Sequence, residues 1–117
     1  MFPGNIKVYI SKERADLRKS YEGLGLLVQG ELEMNPLSGF IFVFFNRDSN
    51  KVKALYWDRN GFCIWQKRLE KGTFRIPSIE SAKWELSFQD LQIILAGFDI
   101  SKLPRQQVAD YSNYVVN

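Results

Sequence analysis

Phe40-Ile41-Phe42-Val43-Phe44-Phe45 is a run of six apolar residues, four of them phenylalanine. A strand with one solvent face would alternate apolar and polar positions. This one has no polar position, so it is expected to be a central strand buried on both faces. Upstream, Asn35-Pro36-Leu37-Ser38-Gly39 is a turn cluster that delivers the chain into the run. Before it the period changes. Leu17, Tyr21, Leu24, Val28 and Leu32 recur at spacings of three and four, which predicts a helix over 16–32 with Asp16 as its N-cap. Gly23 and Gly25 weaken such a helix by roughly 1 kcal/mol each relative to alanine, so close packing against a sheet is the expected reason for them. Ile6 to Ile10 alternates and is rich in β-branched residues, as a first strand would be.

Downstream of a second turn, Asn46 to Asn50, lie two more strand candidates, Val52 to Trp57 and Phe62 to Leu69. Asp58-Arg59-Asn60-Gly61 joins them. Asp at the first position and Gly at the fourth suit a type I turn with a glycine bulge. That register pairs Trp57 with Cys63 and Leu55 with Trp65, giving one fully apolar face with Tyr56 on the other. An Asn-Gly two-residue turn would pair Trp57 with Ile64 and mix the faces, so the bulged register is the expectation. Thr73 to Ile76 and Trp84 to Leu86 are short strand candidates. Ser87 followed by Asp90 opens a helix from Phe88 to Ala96, with Gly97 as its natural stop. The expected fold class is α+β: residues 1–100 form a single domain, an antiparallel β meander of about five strands packed by an N-terminal-half helix and a C-terminal-half helix. Residues 101–117 read as a polar tail in which Val108, Tyr111 and Val115 suit a weak helical stripe.

Charge is uneven along the chain. Residues 47–75 hold eight basic side chains against three acidic ones, whereas residues 1–46 are neutral and residues 76–117 carry a net −2. A segment this basic fits either a polyanion partner or a solvated sheet edge that resists aggregation. Aromatics reach 15%, enough for a core and also for a base-stacking or partner-binding surface. Histidine is absent and Cys63 is the lone cysteine, which removes the commonest general base, the commonest zinc ligand and any intrachain disulfide. Asp16, Asp58, Glu70 and Asp99 are the carboxylates a two-metal nuclease would need, but a turn and a helix cap account for two of them. No apolar run nears the ~20 residues of a membrane span and no signal peptide is evident, so the expectation is a cytoplasmic protein with no cofactor and no small-molecule substrate. Arg14, Arg18 and Lys19 crowd the expected helix start, where a phosphate would be welcome unless Asp16 and Glu22 pair with them. Tyr56 and Trp65, flanked by Lys53, Lys67 and Arg68, interleave rings with cations as single-strand binders do.

Five ordered segments resemble one family. They are Ala15-Asp16-Leu17-Arg18-Lys19-Ser20-Tyr21-Glu22-Gly23-Leu24, the run Pro36 to Phe44, the hairpin Lys53 to Phe62, Lys67-Arg68-Leu69-Glu70-Lys71-Gly72-Thr73-Phe74 with Pro77, and Leu95-Ala96-Gly97-Phe98-Asp99. Together they look like the TnpB-type, Orf-two-like accessory proteins of insertion-sequence-sixty-six elements over about residues 3–100. Ser20 and Glu22 stand where that pattern has glycine and aspartate. The resemblance implies a protein encoded beside a transposase, needed for transposition and without assigned catalytic residues. Two expectations follow. One is a non-catalytic factor that binds element DNA through Arg14, Arg18, Lys19, Lys53, Arg59, Lys67, Arg68 and Lys71. The other is an adaptor that docks on the transposase without touching DNA, anchored by the aromatic surplus.

Overall fold

A computed structural model describes residues 6–102 of the chain, and strand β2 (Ile41–Phe45) lies at its centre with every residue buried. The other elements are β1 (Lys7–Ser11), α1 (Tyr21–Gly30), β3 (Lys51–Asp58), β4 (Gly61–Arg68), β5 (Lys83–Ser87), α2 (Phe88–Leu95) and a short 3₁₀ turn, Ile100–Lys102. The strands form one sheet in the order β4-β3-β2-β1-β5. Alternation along β2 sends its side chains to two separate cores. Phe42 and Phe44 pack with Tyr9, Leu55 and the α1 residues Leu24 and Val28. Ile41, Val43 and Phe45 face the opposite side, toward Leu91, Ile93 and Ile94 of α2. The molecule is therefore three layers, helix on sheet on helix, within an α+β domain.

Not every pair is antiparallel. The strands β2, β3 and β4 make a meander, but β1 runs parallel to β2, with Val8, Tyr9 and Ile10 opposite Ile41, Phe42 and Val43. A parallel neighbour needs a crossover, and α1 provides it. β5 then returns antiparallel along the far side of β1. The Thr73–Ile76 segment is not a strand. Phe74 instead donates its N–H to the Ser49 carbonyl (2.7 Å) and plugs the α2-side core, its ring edge-on to Phe45 at 5.4 Å.

The first helix starts later than its periodicity predicts. Its N-cap is Ser20, which makes no side-chain cap hydrogen bond, so Asp16, Leu17, Arg18 and Lys19 lie in the preceding loop. Two bonds hold that loop out of helix: Asp16 accepts the Arg18 N–H (3.0 Å), and Ala15 donates to the Phe45 carbonyl (2.9 Å). The second helix matches expectation. Ser87 accepts the Asp90 N–H (3.1 Å) as N-cap, and Gly97 takes a left-handed φ of 100° just past the end. The helical stripe expected around Val108, Tyr111 and Val115 lies outside the described residues.

The β3–β4 hairpin closes through the two residues Arg59 and Asn60, with Asp58 opposite Gly61, Trp57 opposite Phe62 and Leu55 opposite Ile64. This is neither register weighed from the turn sequence, and it reverses the expected faces. Trp65 is 42% exposed, whereas Tyr56 packs against the α2-side core. The observed register places Leu55, Ile64 and Phe62 under α1 and sets Trp57 edge-on to Phe62 at 5.0 Å. Such ring pairs contribute about 0.5–1.5 kcal/mol beyond their burial. The cost falls on Arg59, a non-glycine residue at φ 55°. Arg59→Gly is therefore expected to stabilise the protein by about 0.5–1 kcal/mol, since relief of left-handed strain outweighs the added unfolded-state entropy. A thermal melt checks this, and an unchanged or lower Tm would contradict the turn geometry.

Candidate nucleic-acid interface

The β2–β3 turn organises the basic surface. Asn46 accepts the backbone N–H groups of Asn50 and Lys51 (3.0 Å each) on its side-chain oxygen and donates to the Asn50 side chain (2.7 Å). Ser49 takes φ 57° within the same turn. Three other segments are tied to this region. The Ala15–Phe45 bond brings the 12–20 loop alongside, while Leu69 and Phe74 donate to the carbonyls of Asn50 (2.8 Å) and Ser49. Residues distant in sequence are thus gathered at one corner of the sheet.

Two adjoining depressions result, each about 470 Å³. Arg14, Arg18, Arg47 and Lys51 supply the cations of the first, with Asp16 and Asp48. Lys51, Lys53, Lys67 and Arg68 supply those of the second, with Glu70. Leu17 and Lys51 line both, so the two form one trough with seven cations and three carboxylates among the described residues. Among the described residues no aromatic ring lines either part.

The cations are held differently. Arg18 clamps Asp16 through its Nε (2.9 and 3.1 Å) and a terminal nitrogen (2.6 Å). That side-chain bond, then the Arg18 backbone N–H, holds the Asp16 carboxyl well below the usual carboxylate range, so the pair stays ionised at any physiological pH. Arg68 reaches Glu70 at 3.3 Å, with both groups exposed. Lys53 donates to the Lys19 carbonyl (2.9 Å) and Lys67 to the Leu95 carbonyl (3.0 Å); each is anchored by a neutral acceptor rather than a carboxylate. Arg14, Arg47 and Lys51 are exposed and form no ion pair among the described residues.

Of the eight cations singled out from the sequence, the structure gathers Arg14, Arg18, Lys53, Lys67 and Arg68 in the trough, and Lys19 adjoins it through the bond from Lys53. Lys19 also packs its stem over Gly23, where a Cβ would meet it at 3.0 Å, which accounts for that glycine. Arg14, Arg18 and Lys19 do not form the first turn of a helix, as the periodicity suggested. Arg59 sits at the hairpin turn, at the opposite end of β3 from Lys51, about 23 Å away at ~3.3 Å per residue. Lys71 follows Glu70 in an exposed loop, and neither Arg59 nor Lys71 lines the trough. Arg47 and Lys51 were missed. Their only signal was membership of the basic 47–75 segment, and nothing local joins Arg47 to Arg14. The expected ring-and-cation platform is split, because strand alternation puts Trp65 on one sheet face with Tyr56 and Lys67 and leaves Lys53 and Arg68 on the other.

The trough draws residues from three of the segments quoted for the family resemblance, the Ala15–Leu24 box, the Lys53–Phe62 hairpin and the Lys67–Phe74 stretch, and adds Arg14, Arg47 and Lys51 from outside them. A family model described as IS66 Orf2 like protein matches residues 6–105. The chain belongs to this family. Two Sinorhizobium fredii proteins are similar to it. The uncharacterized protein y4hO is 37% identical over 95 residues, 81% of this chain and 83% of that protein. The uncharacterized protein y4jC is 28% identical over 103 residues, 88% of each. No solved structure matches the chain. Membership in the IS66 Orf2-like family ties the chain to insertion-sequence transposition in an accessory role. Among the described residues no helix is long and apolar enough to cross a membrane.

Proposed function

We propose that this IS66 Orf2-like protein is a non-catalytic factor, acting in the cytoplasm, that binds the DNA of the element through the trough. The observation that carries this reading is the gathering, among the described residues, of seven cations and no aromatic ring along two adjoining depressions. Cations without rings suit the phosphates of a duplex better than the splayed bases of a single strand. Arg14, Arg47 and Lys51 supply unneutralised charge, Lys53 and Lys67 supply charge held in place by carbonyls, and Arg18 and Arg68 can exchange an exposed carboxylate for a phosphate oxygen. Lys19, at the margin, adds to the same field. On this reading the chemistry of strand transfer belongs to the transposase.

Fluorescence anisotropy with a duplex of the element end tests this. Affinity should fall with salt at a log–log slope of about −4.5 to −6.3, as expected for five to seven phosphate contacts at ~0.9 each. Single-stranded DNA of the same sequence should bind more weakly. Absence of duplex binding at low salt, or a slope near zero, would remove the reading.

A further inference from the structure

A second surface lies on the outward side of α1 and, among the described residues, shares no lining residue with the trough. Tyr21 (47% exposed), Leu26 (68%) and Leu37 (51%) border a groove of about 440 Å³ with Phe62 and Pro36. Isolated exposed apolar residues are ordinary; three of this size around one groove are not. Gly25 lies in the same groove. Gly25 is buried among its neighbours, yet, unlike Gly23, it has nothing among the described residues within 4 Å of where a Cβ would stand, so those residues give no steric reason for a helix-weakening residue there. Its place is explained if another backbone must come close to α1.

Charge selects the occupant. From Ser20 to Asn46 the chain contains Glu22, Glu31 and Glu33 but no lysine or arginine, although the whole protein is +3. Glu22 lines the groove; Glu31 and Glu33 are exposed beyond the end of α1, on either side of the Leu32 carbonyl to which Lys83 donates (2.8 Å), so Glu22 is the carboxylate that faces an occupant. A second copy packed face to face would bring like charges together. Residues 103–117 carry one arginine and one aspartate and offer no complementary charge. We propose that this groove docks a basic amphipathic helix of a partner protein. The apolar stripe of that helix would sit against Leu26, Leu37 and Phe62, its backbone would approach Gly25, and its lysines or arginines would face Glu22. This site is independent of the DNA-binding reading, and the two surfaces can be occupied together.

The probe is a fluorescein-labelled 18-residue Leu/Lys amphipathic helical peptide, titrated against the full chain, with amide chemical shifts locating the contact. The wild type should bind with shifts centred on Tyr21–Gln29 and Leu37. Leu26→Lys and Gly25→Leu should each weaken binding at least tenfold and leave duplex binding unchanged. A Leu/Glu version of the peptide should bind at least tenfold more weakly. Leu26 is exposed, so Leu26→Lys decides the matter even if Gly25→Leu fails to fold. Equal peptide binding by wild type and Leu26→Lys would overturn the proposal. So would shifts confined to the trough, or a dimer in sedimentation that Leu26→Lys dissociates. Movement of the groove resonances in the double variant Tyr111→Ser, Val115→Ser would assign the groove to the tail instead and equally overturn it.

Discussion

Replacing Arg14, Arg47 and Lys51 together by alanine is expected to lower duplex affinity several hundredfold at 0.1 M salt. These exposed cations have no carboxylate partner among the described residues, so each is available to a phosphate without first breaking an ion pair. Three lost contacts at ~0.9 each reduce the log–log salt slope by about 2.7, which at 0.1 M corresponds to nearly three decades of affinity relative to 1 M. The fold should be little affected, since exposed side chains of this kind change stability by about 0.5 kcal/mol or less apiece. The control is the pair Arg59→Ala and Lys71→Ala, which removes two equally exposed cations outside the trough. A general charge effect would lower the slope in both variants, whereas a located site lowers it only in the first. Anisotropy titrations at four salt concentrations, with a thermal melt of each variant, separate the outcomes.

Phe42→Ala is expected to destabilise the protein by about 3–5 kcal/mol, the range for removing a large buried aromatic side chain. Phe42 is fully buried on the middle strand, stacked on Tyr9 with ring centroids 6.1 Å apart and packed in the core beneath α1. Tyr9 is itself fixed at its far end by a hydrogen bond to Glu85 (2.9 Å), so it cannot readily swing in to refill the space. Burial, reinforced by that bond, raises the Tyr9 phenol above its ordinary pKa, which keeps it a neutral donor at working pH. A domain of this size has ~5–15 kcal/mol of stability, so the loss is a large share of the whole. Urea denaturation measures it. A loss under about 1 kcal/mol would mean that β2 is not the common floor of the two cores.

The residues of β2, the cap and stop of α2, the existence of the β3–β4 hairpin and the excess of positive charge after Arg47 were all legible in the amino-acid order. Each rests on neighbours within a few positions: an unbroken apolar run, a Ser-to-Asp spacing of three, a left-handed glycine, a count of lysines and arginines. The family could be read the same way, from five short segments in order. The features that escaped local reading depend on partners far along the chain. Asp16 resembled a helix cap until the Ala15–Phe45 bond pinned its loop to the end of β2. The hairpin register was undecided locally, since both strands carry apolar residues at odd and even positions and a slip of one residue exchanges the faces. The layer above settled it, because α1 covers the face that holds Leu55, Ile64 and Phe62. The same holds for the trough. Sequence alone determined that the protein is basic in its middle third, but only the parallel placement of β1 beside β2 brings Arg14 to Arg47 and Lys51, because pattern along a chain encodes which side chains share a face and not which faces meet.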